Sequence, residues 1–362
     1  MHARYNLPVR AFRISPRKTE GKSIRTAVEV LRGGGIVAFP TETVYGLCVD
    51  PNNPEAVSKL YKLKGRETAK ACAHLLGDAR QAEALVERLP APAQRLARRF
   101  WPGPLTLVVP DGRGQRVGLR LPAVPVAQAL AREFGAPLLQ TSANRSGRPA
   151  ALNGVGVAQA FPSGLDLVLD AGRTPGGVSS TVVACDGGTF EILRDGAIPA
   201  EEIRDAAVER VVLVCTGNIC RSPTAEFMLR ALAARALECA PDELPLRAFE
   251  FSSCGTHGWD ASPATDEAIK VARDRGYDLT PHSSRPVDAA ILGTANRVWC
   301  MDAEHEHAIE AYFQERREAL TLFDPDGKNV EDPFRRSMRV YKKIAKRIET
   351  IASRRVDELL RG

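Results

Sequence analysis

Cys215 and Arg221 follow the apolar run Val211-Val212-Leu213-Val214, and a helix start is signalled directly afterwards at Ser222-Pro223. A cysteine at a strand end, an arginine and a helix N-terminus together make a recipe for phosphate chemistry. Loop N–H groups converge on an anion there, and the helix dipole adds to the attraction. The Arg221 guanidinium can grip two phosphoryl oxygens at once. The same positive field favours the thiolate of Cys215, which is the nucleophilic form. A departing phenolate or alkoxide needs a proton that such a loop cannot give. Asp332, in Glu331-Asp332-Pro333-Phe334, is the candidate acid. Pro333 stiffens its loop, and Phe334 offers an aromatic wall for a substrate ring. Asn218 and Ser222 are placed to hold the loop in shape and to stabilise the sulfur when it leaves a phosphocysteine intermediate. Taken alone, the Cys215 and Arg221 spacing also describes a buried cysteine beside a surface arginine. Cys220 has two readings as well: a small packing residue, or the partner of Cys215 in a reversible disulfide that protects the nucleophile.

The elements around this loop alternate regularly. Strand signals lie at 211–214, 249–252, 297–301 and 320–323. Helix signals start at Ser222-Pro223, run over 263–275 to a stop at Gly276, and run over 302–317 with Asp302 at the cap. A basic stretch from Arg335 completes the series. Strands alternating with crossover helices imply a parallel sheet with helices on both faces. The first half is also mixed, with strand signals at 36–39, 105–109, 117–121, 137–139 and 181–183 and helix signals at 55–62, 91–100, 124–134 and 155–161. It reads as an α/β sheet domain, with no strand order assigned. Turn residues and then charge from Gly196 to Asp205 precede the fresh apolar run, so the expected domains are 1–206 and 207–362. No internal repeat appears, so the halves are different folds.

The 362 residues suit two domains. Apolar residues at 44% and charged residues at 26% describe a soluble globular chain. No apolar run approaches the roughly 18 residues of a membrane helix, and the N-terminal residues lack a secretory signal, so a cytoplasmic protein without membrane partners is expected. The 8 cysteines are scattered and form no CxxC pair, which predicts reduced thiols and no structural zinc. A net charge of +6 fits solvated surface charge plus anion-binding sites, or a dedicated nucleic-acid surface.

The longer string Val214-Cys215-Thr216-Gly217-Asn218-Ile219-Cys220-Arg221-Ser222-Pro223-Thr224-Ala225-Glu226 resembles the signature of low-molecular-weight protein tyrosine phosphatases almost position by position. Ser253-Cys254-Gly255-Thr256 and Asp332-Pro333-Phe334 resemble two further segments of that family. The resemblance implies a flavodoxin-like doubly wound parallel sheet and hydrolysis of phosphotyrosine-type monoesters on a phosphoprotein, through a phosphocysteine. It assigns Cys215, Arg221 and Asp332 to catalysis, and Thr216, Gly217, Asn218, Ile219, Cys220 and Ser222 to the phosphate loop. Arg335 stands where family members usually have a second aromatic or a glycine. Relatives acting on phosphoarginine carry Thr where this chain has Ile219.

In the first half, Phe39-Pro40-Thr41-Glu42-Thr43-Val44-Tyr45-Gly46-Leu47 and Lys62-Leu63-Lys64-Gly65-Arg66 mean little separately. Joined in order by Trp101-Pro102-Gly103-Pro104-Leu105-Thr106, Leu119-Arg120-Leu121-Pro122, Thr141-Ser142-Ala143-Asn144-Arg145-Ser146-Gly147, Ser179-Ser180-Thr181-Val182-Val183 and Leu193-Arg194-Asp195-Gly196-Ala197, they resemble YrdC-like L-threonylcarbamoyladenylate synthases. That resemblance implies a twisted open mixed sheet and a reaction of L-threonine, bicarbonate and ATP, with Mg2+ accompanying the ATP. The product would feed the t6A modification of tRNA, which makes tRNA or other proteins of that pathway possible partners. Lys64, Arg66, Lys70, Ser142, Asn144 and Arg194 would bind ATP, and Thr41, Thr43, Arg120 and Ser180 would bind threonine. Glu67 and Ala71-Cys72 depart from the family pattern beside Arg66. A competing reading is a non-catalytic RNA- or nucleotide-binding module attached to the phosphatase.

Overall fold

In the computed structural model, which describes residues 9–17, 21–65, 72–258, 261–314 and 316–361, the short apolar runs become strands whose side chains alternate between two helix layers. Two units result: one holds residues up to Asp186 with Phe190–Ala206, the other Gly187–Thr189 with Ala207 onward.

The first unit runs β1 (Ala11–Arg13), α1 (Lys22–Arg32), β2 (Val37–Phe39), β3 (Gly46–Val49), α2 (Pro54–Lys64), β4 (Ala73–Leu75), α3 (Ala91–Phe100), β5 (Leu105–Pro110), β6 (Arg116–Arg120), α4 (Pro125–Phe134), β7 (Leu138–Ser142), α5 (Gly154–Ala160), β8 (Leu167–Asp170), β9 (Thr181–Asp186) and β10 (Thr189–Arg194). Among the described residues these strands form one mixed sheet in the order β1-β8-β2-β3-β7-β4-β6-β5-β9-β10. The pleat sends successive side chains to opposite faces. Val37, Phe39, Cys48, Leu167 and Leu169 pack with Ile24, Leu31, Val126 and Leu130 of α1 and α4. Ala38, Leu47, Val49 and Val168 pack on the other face with Ala56 and Leu60 of α2 and Val157 and Ala158 of α5. Because these strands are buried on both sides, they read as continuous apolar runs. α1 places Ile24, Ala27, Val28 and Leu31 inside at helical spacing. That signal is periodic and not continuous, so a search for apolar runs passes over it. Asn53 caps α2, its side chain accepting the Ala56 N–H at 3.1 Å, with Pro54 at the first helical position.

After α6 (Ala200–Ala207), the second unit runs β11 (Glu209–Cys215), α7 (Arg221–Ala236), β12 (Phe249–Gly255), α8 (Asp266–Arg273), α9 (Ala289–Thr294), β13 (Arg297–Cys300), α10 (Ala303–Ile309), β14 (Leu320–Leu322) and α11 (Met338–Arg361). Its sheet, in the order β12-β11-β13-β14, is parallel at every pairing. Val211 and Leu213 of β11 face α7, α8 and α11, whereas Val212 and Val214 face α9 and α10. β11 is thus an inner strand, and the next two strands in sequence, β12 and β13, pair on its opposite sides. That is the switch point at which open α/β sheets bind ligands, beyond the strand's C-terminal end.

Two helices are shorter than their sequence signals. The segment expected as a helix over 263–275 begins at Asp266, because the Thr265 side chain accepts the Ala268 N–H at 3.3 Å and ends the preceding extended stretch. It ends at Arg273, and a turn carries the chain on to Gly276, where φ is +83°. The helix expected over 302–317 ends at Ile309 and tightens into a 3-10 turn over Glu310–Phe313, which seats Phe313 in the same core as Ile309. Among the described residues no helix is long and apolar enough to cross a membrane.

Candidate active sites

In the first unit, strand alternation prepares a cavity of about 240 Å³ with both polar and apolar lining on one sheet face. β5 turns Leu105, Leu107 and Val109 into the core and Thr106 and Val108 towards the cavity, while β6 buries Leu119 and presents Arg116, Gly118 and Arg120. Ser142 at the end of β7, Thr41, Ser180 and Arg194 complete the polar wall. The predicted residues gather here in linked sets. Arg120 NH2 donates to Thr43 Oγ1 at 2.6 Å, to Glu42 Oε1 at 2.9 Å and, more weakly, to Thr41 Oγ1 at 3.4 Å. Its Nε is buried without a hydrogen-bond partner among the described residues. Arg194 donates to Ser180 O at 2.8 Å and to Ser180 Oγ at 3.2 Å, and Ser180 Oγ lies 2.9 Å from Thr106 Oγ1.

Lys64, only 1% exposed, comes from the C-terminal end of α2. Its ammonium donates to Ser142 O at 2.5 Å and to Asn144 Oδ1 at 3.1 Å, so it joins the Ser142 and Asn144 loop behind the cavity wall. Arg66 and Lys70, with Glu67 and Ala71, lie outside the described residues. Glu42 and Thr106 were not singled out by sequence. The signal for Thr106 is its alternation with Leu105 and Leu107, and for Glu42 its place between the two threonines that share Arg120. Among the described residues no group of three or more His, Cys, Asp or Glu side chains could hold a metal ion.

In the second unit, β11 delivers Cys215 and α7 begins at Arg221, so the intervening loop must reverse within a few residues. Asn218 takes the left-handed conformation that this needs, φ 54°, which asparagine tolerates better than most residues. Its side chain donates to Ser222 Oγ at 2.9 Å and Ser253 Oγ at 2.8 Å and accepts the Arg285 N–H at 3.0 Å. The Ser222 hydroxyl, already accepting from Asn218, can send its own proton to Cys215 Sγ, 3.0 Å away, and the Asn218 N–H points at the same sulfur from 3.3 Å. Behind the loop, Gly255 leaves no room for a side chain: a Cβ there would lie 2.5 Å from Thr216 O. Ser253 donates onward to Glu226 Oε2 at 2.7 Å. Burial pushes the Glu226 carboxyl up, against the opposing Ser253 hydrogen bond.

A cavity of about 340 Å³ opens over the loop and is lined by Cys215, Thr216, Gly217, Ile219, Cys220 and Arg221, with His257, Asp332, Phe334 and Arg335 at its rim. Asp332 Oδ2 accepts from Arg221 NH2 at 2.6 Å and Asp332 Oδ1 from the Phe334 N–H at 2.9 Å, which fixes the carboxyl over the cavity. The Arg335 guanidinium stacks over the Phe334 ring at 5.2 Å. Arg221 also donates to Asp302 Oδ2 at 2.8 Å. Burial alone would raise the Asp302 carboxyl, but hydrogen bonds from His305 and Arg221 outweigh it and hold the group well below the usual carboxylate range. Cys220 Sγ lies 3.4 Å from Thr265 Oγ1 and 3.5 Å from Tyr341 OH, and burial raises its thiol. The sequence reading placed Asp302 only as a helix cap and did not single out His305, Ser253 alone or His282 as site residues.

Residues 29–196 match the Sua5/YciO/YrdC family model, described as "Telomere recombination", and residues 210–361 match the model described as "Low molecular weight phosphotyrosine protein phosphatase". The threonylcarbamoyl-AMP synthase of Bacillus subtilis (strain 168) is 39% identical over 195 residues, or 51% of this chain; the chain spans only 56% of that relative's length. The threonylcarbamoyl-AMP synthase of Nitrosococcus oceani is 36% identical over 155 residues, covering 40% of this chain and 84% of its own. A solved structure of a variant of Pyrococcus abyssi Sua5 covers 56% of this chain and 70% of its own, with 33% identity and a TM-score of 0.50.

Proposed function

We propose, for a chain that belongs to the Sua5/YciO/YrdC family through its first unit and carries a low-molecular-weight phosphotyrosine protein phosphatase domain in its second, a bifunctional enzyme. The first unit makes L-threonylcarbamoyladenylate from L-threonine, bicarbonate and ATP. The second hydrolyses phosphotyrosine-type phosphomonoesters. Domains 1–206 and 207–362 carry the two activities.

For the first unit, the supporting observation is the buried Arg120 beside Thr41 and Thr43, with an Nε–H that no group among the described residues accepts. An arginine edge with a spare donor suits the threonine carboxylate. Ser180 lies on the same wall. Lys64, Ser142, Asn144 and Arg194, joined by Arg66 and Lys70, receive the nucleotide phosphates. The threonine amine and bicarbonate condense to a carbamate with loss of water, a carbamate oxygen attacks the α-phosphorus, and pyrophosphate leaves. Mg2+ would arrive with the ATP, and the product would supply t6A synthesis on tRNA.

For the second unit, the reading is carried by the sulfur of Cys215, held by the Ser222 hydroxyl and the Asn218 N–H, opposite the paired Arg221 and Asp332. Cys215 Sγ attacks phosphorus while Arg221 and the loop N–H groups hold the phosphoryl oxygens, and Asp332 protonates the leaving oxygen. Water then cleaves the phosphocysteine with Asp332 accepting its proton, and Ser222 steadies the departing sulfur. Phe334 walls the ring of an aryl ester on a phosphoprotein substrate. A cytoplasmic location suits both reactions.

The test is one assay panel on the purified chain: pyrophosphate release that requires both threonine and bicarbonate, and hydrolysis of aryl phosphates. Absence of the first, with intact ATP or RNA binding, would mean that the first unit is a binding module. Absence of the second would remove the phosphatase.

A further inference from the structure

The guanidinium of Arg221 is almost fully engaged by protein acceptors. NH1 donates to Asp302 Oδ2 at 2.8 Å and Val330 O at 3.1 Å, and NH2 donates to Thr216 Oγ1 at 3.1 Å and Asp332 Oδ2 at 2.6 Å. Arginine has five N–H donors, so among the described residues Nε–H is the one not used. The contacts also close on themselves. His305 Nδ1 lies 2.8 Å from Asp302 Oδ1, bent away from good hydrogen-bond alignment, and His305 Nε2 lies 2.8 Å from Thr216 Oγ1. Arg221, Asp302, His305 and Thr216 therefore form a ring. Arg221 and His305 are each 3% exposed, whereas the Asp332 side chain, outside the ring, is 44% exposed.

We propose that His305 is a positioning residue of the phosphate loop: acting through Thr216 and Asp302, it fixes the plane of the Arg221 guanidinium, so that an arriving phosphoryl group takes Nε–H and displaces Asp332 from NH2. The inference rests on the phosphatase reading and deepens it. A bidentate grip on a phosphoryl group needs two neighbouring donors. Nε has no acceptor among the described residues, and NH2 can free a proton only by giving up Thr216 or Asp332. Thr216 is tied into the ring by His305, so the exposed carboxyl is the one that yields. Phosphoryl binding thereby frees Asp332 from its ion pair, so that the exposed carboxyl can take a proton from solvent and pass it to the leaving oxygen.

Two isosteres separate the sides of the imidazole. Asparagine at position 305 puts an amide near the place of Nδ1, on the Asp302 side; glutamine puts one near the place of Nε2, on the Thr216 side. With the whole chain, kcat and KM for an aryl phosphate, calorimetric affinity for inorganic phosphate, and the thermal midpoint are measured. His305→Asn and Thr216→Val are each expected to weaken phosphate binding and lower kcat/KM by roughly ten- to a hundred-fold, the usual effect of a misplaced binding group, with most of the change in KM. The double variant should be little worse than either single one, because both cut the same link. His305→Gln and Thr216→Ser should recover most of the loss. The inference fails if His305→Asn binds phosphate like the unaltered chain, if the two losses add, or if Asn and Gln are equally impaired in step with a lower thermal midpoint, as plain packing damage would be. A chain that binds phosphate in a His305-dependent way yet hydrolyses nothing would defeat the phosphatase reading and leave this inference standing; a hydrolysing chain indifferent to His305 would do the reverse.

Discussion

Single atoms divide the labour in the phosphatase site. Phosphate is held by Arg221 and loop N–H groups, while attack needs the Cys215 sulfur, so Cys215→Ser should lose nearly all turnover yet still bind inorganic phosphate. Equilibrium binding against single-turnover hydrolysis checks this, and a variant that neither binds nor turns over would show that the sulfur also shapes the loop. Asp332→Asn should act selectively. It should slow esters with poor leaving groups by roughly 100- to 10,000-fold, the usual worth of a positioned acid, and activated aryl phosphates much less. A series of kcat/KM against leaving-group pKa decides the matter: a uniform loss would move the acid to another carboxyl, such as Asp324 or Asp326. In the first unit, Lys64→Ala removes a buried ammonium that spans Ser142 O and Asn144 Oδ1. Threonine-dependent pyrophosphate release should vanish while aryl phosphate hydrolysis continues.

At the scale of elements, the loop between β11 and α7 depends on a neighbour from far along the chain. His282 Nε2 lies 2.7 Å from Asn218 O, behind the left-handed turn. Burial pushes the His282 imidazole below its ordinary value; the Asn218 hydrogen bond opposes this and the Arg285 charge adds to it. A histidine with a depressed folded-state pKa binds its proton more readily when unfolded. Its contribution to stability is therefore present above the unfolded value of about 6.5 and declines as pH falls through that value towards the folded one. Hydrogen exchange at the β11 amides should then speed up between about pH 7 and pH 5 in the parent chain relative to His282→Gln, which keeps a donor for Asn218 O. Parallel pH dependence in the two proteins would take His282 out of the account. Elsewhere, helix ends followed caps more closely than apolar periodicity: Thr265 starts α8 later than the pattern implies, and α10 tightens at Ile309 so that Phe313 can enter the core.

For the whole molecule, two cavities on two sheets would serve two chemistries, an adenylate-forming synthesis and a phosphomonoester hydrolysis. Every described contact of Cys215, Arg221 and Asp332 comes from residues after 207, and β11 to α11 supply a complete parallel sheet with helices on both faces. A fragment from about residue 207 to the end should therefore hydrolyse aryl phosphates by itself, with kcat/KM close to that of the full chain. A folded but inert fragment would mean that the first unit is needed for the second reaction.

The phosphate loop was legible in sequence because its nucleophile, turn, arginine and helix N-terminus occupy contiguous positions from Cys215 to Ser222, where local backbone geometry decides what faces the anion. The strands of both units were legible where burial on two faces makes an apolar run, and α1 was not, because its apolar residues are spaced by helical turns. Sequence also supplied the candidates Lys64, Arg120, Ser142, Asn144, Ser180 and Arg194, but not their partners. Tertiary structure alone paired Arg120 with Glu42, across 78 positions, and Arg221 with Asp302 and Asp332, across 81 and 111. It alone brought His305 to Thr216, across 89. The physical reason is range: caps, turns and alternation act over a few residues and leave a local trace. The acceptor that a buried guanidinium finds is set by strand order and helix packing, which no short segment encodes.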